Sequence, residues 1–317
     1  MGQEEAAVPE LSPRVLLVVF DPPVVGHLSL SRAMGWNRVE DLVEGYIADL
    51  EACSGGLVRY RVVARLDFPF FPAKIDGFRY TWETYSAVLE RRQLPHEPDT
   101  VDYMAILAAC DGVRRIARGE IDEIWLFGGP YFGFYESLMA GPDAFWCNAP
   151  PLLGNEAAGR RFVIMGFSYE RGVGEMLENF GHRAEAIMER VFAGIPEPHN
   201  LWRRFTRYDL IAPGQAAVGT IHFAPNSERD YDWGNPRRVW SYCEDWLYFP
   251  DLRGRGRWVN CEEWGGGGIR EHHRWWLRHL PRAPGETDGI SHNWWRYIVD
   301  PNTVPSEGRK ISRAEDT

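Results

Sequence analysis

Residues 161–192 read RFVIMGFSYERGVGEMLENFGHRAEAIMERVF. An apolar run of strand length, residues 162–167 (FVIMGF), passes through a glycine-bearing turn into a long helical pattern. Advancing 100° per residue from Glu175, the side chains of Glu175, Glu178, His182, Glu185 and Glu189 fall within an arc of roughly 80°. Leu177, Phe180, Ala184, Ile187, Met188 and Val191 lie opposite. The apolar stripe is a core face. The polar one carries like charges at i, i+4, which weaken a helix by roughly 0.2–0.5 kcal/mol per pair. The helix dipole, the flanking Arg183 and Arg190, or a bound cation would offset that repulsion.

Outward from this unit, strand and helix patterns alternate. Residues 15–20 (VLLVVF) form a continuous apolar run ending at Asp21-Pro22-Pro23, the signature of a strand buried on both faces. Residues 37–52 have helical spacing, and residues 57–67 (LVRYRVVARLD) alternate as a strand with one more polar face. Residues 81–91 read as a short helix, 102–118 as one amphipathic helix, and 121–127 (IDEIWLF) as a further strand. The fold class predicted is α/β: a mostly parallel sheet flanked by helices, followed by a Trp/His-rich, loop-rich C-terminal part packed on it. The divisions are a flexible tail at 1–13, an α/β domain at 14–200, the Trp/His-rich part at 201–300 and a second tail at 301–317.

The C-terminal part differs in composition. Nine of the 14 tryptophans lie between Trp233 and Trp295, and five of the 9 histidines (His222, His272, His273, His279, His292) come after residue 220. Residues 217–223 read as a strand ending at His222. Residues 271–280 (EHHRWWLRHL) form a short helix with His272, Trp276 and His279 on one face.

Composition excludes several functions. A net charge of −10 with no basic run argues against nucleic acid as a partner. No segment reaches the roughly 18 apolar residues of a membrane span, and the first residues are acidic rather than arranged as a leader, so a cytoplasmic location is expected, with excision from a longer secreted protein as the other reading. Lys74 and Lys310 are the only lysines, and neither has Schiff-base or phosphate-loop context. GGPYFG lacks the spacing of a dinucleotide fingerprint, which leaves NAD and ATP without support. The five cysteines form no metal-ligand pattern, although Cys243 and Cys261 could pair. Ser168 is not in a nucleophile elbow, and Cys147 reads better as a buried thiol than as a thiolate.

The candidate chemistry is therefore Glu/His chemistry. Glu178 and His182 on one helix, with His222, His273 and His279 arriving from the C-terminal part, offer donors for a divalent metal, zinc before others. Glu136, in the aromatic, glycine-rich loop GGPYFGFYE, and Glu170 and Glu175 are candidate acid/base groups. Asp230 and Asp232 in NSERDYDWGN offer oxygen ligands to calcium, though an Asx-rich turn explains the same pattern. The expected function is a metal-dependent hydrolase with a Glu/His site between the α/β domain and the C-terminal part, acting on a peptide or glycan bond. The alternatives are a metal-free acid/base glycosidase and a non-catalytic carbohydrate- or peptide-binding protein with a tryptophan-lined groove.

Overall fold

The computed structural model describes residues 8–197 and 199–305. Its centre is a five-stranded sheet of order β2-β1-β3-β5-β4, with β1 at Arg14–Phe20, β2 at Arg61–Phe68, β3 at Glu123–Gly128, β4 at Ser137–Ala140 and β5 at Phe162–Ser168. β2, β1, β3 and β5 run parallel, and β4 is antiparallel to β5. The continuous apolar runs of β1, β3 and β5 are buried throughout their central residues because helices cover both faces of the sheet. Successive side chains of a strand point to opposite faces. Trp125 accordingly meets Tyr46 of the Val39–Cys53 helix at 5.1 Å between rings, while the adjacent Ile124 faces Gly112 on the other side, where an added Cβ would come within 3.0 Å of its Cδ1. β2 is an edge strand, and its exposed, polar-patterned face is the one its sequence indicates.

Two local expectations are corrected. The helix predicted over 102–118 is two helices, Tyr103–Ala109 and Gly112–Ala117, because Asp111 adopts a left-handed conformation (φ 52°) between them. Residues 217–223 are not a strand: they form an irregular segment with a tight turn, in which Thr220 N–H donates to the Phe223 carbonyl at 2.9 Å. β4 lacks a periodicity signal because it is only four residues long and wholly buried.

The chain is also packed beyond the predicted tail boundaries. Leu11 N–H donates to the Leu57 carbonyl at 2.8 Å, and Pro301 and Val304 are buried beside Arg161, whose guanidinium donates to the Pro301 carbonyl at 2.9 Å. Residues 1–7 and 306–317 lie outside the described residues. Cys243 and Cys261 are both free and buried, so they do not pair.

The long helix, Val173–Val191, lies across this framework. Phe180 stacks on Trp295, and Gly174 sits so close to Ile269 that an added Cβ would fall 2.6 Å from its Cγ2. Arg183, fully buried, pairs with Glu123 of β3 at 2.7 Å and donates to the carbonyls of Ile298 and Val299. A buried arginine without such partners would be strongly destabilising; here it ties helix, sheet and C-terminal part together. The tryptophans extend the same core around irregular backbone. Trp202, Phe205, Trp246, Trp276 and Trp294 meet at ring separations of 5.1–6.3 Å, and Trp276 donates its indole N–H to the Gly219 carbonyl at 3.0 Å.

Candidate metal centre

The acidic face of the long helix is covered over its middle turns, while Glu189 stays exposed. Glu178 is buried and His182 and Glu185 are half-buried, because the 219–223 segment crosses the helix there. Gly181 permits the crossing: a Cβ at that position would lie 2.4 Å from Ile221 Cγ1. The next residue, His222, is thereby carried over the helix to Glu178 and His182.

The donor atoms converge. His222 Nε2 lies 2.9 Å from Glu178 Oε1 and 3.0 Å from His182 Nε2, and Glu178 Oε1 is 3.9 Å from His182 Nε2. Glu178, His182 and His222 offer one ligand atom each within 4.8 Å of one another, a group that could hold a metal ion. Two nitrogens bound at roughly 2.0–2.1 Å to one ion stand about 3 Å apart.

Each imidazole is oriented from behind by a carboxylate. His182 Nδ1 is 3.1 Å from Glu185 Oε2, and His222 Nδ1 is 3.1 Å from Asp230 Oδ1. Protonation at Nδ1 turns the Nε2 lone pairs toward the shared point, the arrangement typical of metal-ligating histidines. Glu185 Oε1 also accepts the Ile221 N–H at 2.8 Å, so one carboxylate fixes both the His182 ring and the backbone that delivers His222.

Electrostatics follow from these contacts. Burial pushes the Glu178 carboxyl up, but the hydrogen bond and charge of His222, with His273 beside it, overrule this and hold it well below the usual carboxylate range. Burial works to lower His182 and His222, yet the carboxylates around each raise both above the ordinary imidazole value. Proton or metal, positive charge is favoured here.

Behind Glu178 lies a pair of fully buried histidines. His272 and His273 face each other at 3.1 Å between Nδ1 atoms, and His273 Nε2 is 3.8 Å from Glu178 Oε2. Burial lowers both below the ordinary imidazole value, which keeps them neutral. His273 thus approaches the far oxygen of Glu178 and not the point shared by the three donors.

The remaining predicted residues separate. Glu136 Oε2 is 3.9 Å from His182 Nε2 and accepts a short hydrogen bond from Asn148. Glu175 accepts the Gly172 N–H at 3.1 Å and caps the long helix, while facing the same cleft as Glu136 and Glu178. Glu170 is exposed beside Arg171 and lines neither cleft described below. His279 is set apart: its Nδ1 is 2.8 Å from the Trp275 carbonyl, and its charged neighbours are Arg257, Glu263 and Arg282.

Calcium at Asp230 and Asp232 is likewise corrected. Asp230 is directed at His222, whereas Asp232 accepts from the Glu228 N–H and the Asn235 amide. The NSERDYDWGN segment is a hydrogen-bonded turn that positions a histidine. Cys147 is buried, and burial pushes its thiol up to about 11, the state of an inert core thiol.

Two clefts meet at the centre. One, of about 630 Å³, is lined by the 129–136 loop, Glu175, Glu178, Asn179 and Tyr231. The other, of about 770 Å³, is lined by Phe145, Trp146, Tyr208, Phe223 and the two histidines. Asn148, Tyr231 and Trp146 belong to the site but carry no motif. Asn148 and Tyr231 both adopt a left-handed conformation (φ 56° and 58°).

No protein-family model, curated protein or solved structure matches the chain. Among the described residues no helix is long and apolar enough to cross a membrane.

Proposed function

We propose that Glu178, His182 and His222 hold a divalent cation in a metal-dependent hydrolase acting on a peptide or glycan bond. The observation that carries this reading is the facing of two Nε2 atoms at 3.0 Å, each ring backed by its own carboxylate. Two imidazoles and one carboxylate form a donor set suited to zinc, with a position left for water. A cation so held supplies Lewis acidity and brings the pKa of a bound water down toward about 7.

Glu136 is the better-placed base. It is 44% exposed in the first cleft and only 3.9 Å from His182 Nε2, while Glu175 is engaged as a helix cap. Asn148 holds the Glu136 carboxylate. The tryptophan-groove alternative has less support: Trp233, Trp246, Trp264, Trp275, Trp276, Trp294 and Trp295 are buried and serve as core.

The test is turnover of fluorogenic peptide and glycan panels by zinc-supplemented protein with and without chelator. Chelator-sensitive cleavage supports the reading, and chelator-insensitive cleavage rejects it.

A further inference from the structure

We infer that the cleft beside the metal centre seats a neutral sugar, and that the bond cut is an acyl bond carried by that sugar. The inference rests on the metal reading above and departs from it in the bond, which is an acyl bond carried on a glycan in place of a peptide or glycosidic bond. Most tryptophans of this chain are buried, but Trp146 is 59% exposed, and it stands in the wall of the 770 Å³ cleft that His182 and His222 also line. Phe145 adjoins it, and Tyr208 and Phe223, stacked at 4.7 Å, complete an aromatic lining. Flat aromatic faces match the apolar faces of sugar rings, and the polar rim, Asn148 and Thr220 among it, can bond ring hydroxyls.

Charge and topology narrow the class. Glu185, Glu189 and Arg190 line the same cleft, and the excess of carboxylates over the single guanidinium disfavours phosphorylated or uronic substrates. An extended peptide is commonly held by pairing with an open sheet edge. The edge nearest this cleft, β4, is covered: Leu152 N–H donates to the Met139 carbonyl at 2.9 Å, and Ala140 bridges to Leu152.

The chemistry narrows the bond. Hydrolysis of an acetal calls for two carboxylates flanking the glycosidic oxygen, whereas a site built from two histidines and a carboxylate is suited to polarising a carbonyl. In the proposed step the oxygen of water adds to the acyl carbon while Glu136 takes a proton from it. The bond from that carbon to the sugar nitrogen or oxygen then breaks, Glu136 returns the proton to the leaving atom, and the products are a carboxylic acid and the free amino or hydroxyl sugar.

Chitohexaose and acetylated xylohexaose are the probes. Titration calorimetry on chelator-treated protein should show binding of at least one of them. Trp146→Ala should weaken that binding about tenfold and Trp146→Phe should restore most of it, with zinc stoichiometry unchanged in both. Zinc-loaded protein should release acetate without new reducing ends. Three results overturn the inference: no binding of either hexasaccharide, equal binding by Trp146→Ala, or new reducing ends without acetate. Failure of zinc to bind would instead defeat the metal reading, and calorimetry on the chelator-treated protein would still decide the sugar subsite.

Discussion

His182 and His222, forty residues apart in the chain, point their Nε2 atoms at each other across 3.0 Å at the edge of a buried glutamate. Two lone pairs at that distance repel unless a proton or a cation lies between them. The raised proton affinity of both rings and the depressed one of Glu178 are the same fact seen from the two signs of charge.

The carboxylates behind the rings should tune the site without belonging to it. Glu185→Gln and Asp230→Asn each remove the anion at Nδ1, and each is expected to weaken zinc binding roughly 10- to 100-fold. Competition against a chromogenic chelator measures this, with circular dichroism confirming an unchanged fold. Wild-type affinity in both variants would mean the carboxylates do not orient the rings.

Gly181 should be intolerant for a geometric reason. A methyl group at Gly181→Ala meets Ile221 at 2.4 Å, and overpacking of this kind costs about 1–3 kcal/mol. The 219–223 segment is expected to lift from the helix, lowering the urea midpoint and weakening zinc binding together. Loss of stability with zinc binding intact would show that the segment moves without carrying His222.

Glu136 should matter to turnover and not to metal. In Glu136→Gln, kcat/KM is expected to fall by roughly 10²–10⁴ while zinc content stays at the wild-type level. Loss of zinc along with activity would make Glu136 a ligand and not a base.

Acid should destabilise the protein partly through His279. Burial lowers its pKa from 6.5 to about 4, so the unfolded chain binds the proton more readily than the folded one. The stability this group contributes is present above pH 6.5 and lost as pH falls toward 4, about 2 kcal/mol between pH 7 and pH 4.5. His279→Asn can keep a donor for the Trp275 carbonyl and removes the titration. Urea unfolding at the two pH values should therefore show a smaller pH dependence in the variant. His272 and His273, also lowered by burial, act in the same direction in both proteins. An equal pH dependence would remove His279 from the account.

How much of this was legible depends on the range of the interaction. The strands of the sheet core announced themselves because burial on both faces demands continuous apolar runs, as in 15–20 and 162–167. The pairing of Glu178 with His182 was legible because helical geometry fixes i, i+4 neighbours. His222 was legible as a partner of Glu178 and His182 from its residue type, but its route to them was not, since its approach depends on a missing Cβ at Gly181 and on a turn that sequence periodicity misread as a strand. Local spacing likewise made Asp230 and Asp232 look like ligands of one ion, when the turn sends one to a histidine and the other to its own backbone. Clustered tryptophans were legible as a composition, but only packing distinguishes an extension of the core from a groove, and it places Trp146, from outside the cluster, at the cleft.

The central claim is that one cation is held by Glu178, His182 and His222. Metal analysis of protein purified without chelator and dialysed against zinc tests it most directly, on wild type and on the His182→Ala/His222→Ala double variant. The account predicts about one zinc per wild-type chain and none in the folded variant; wild-type protein without stoichiometric metal, or a variant that retains it, would contradict the account.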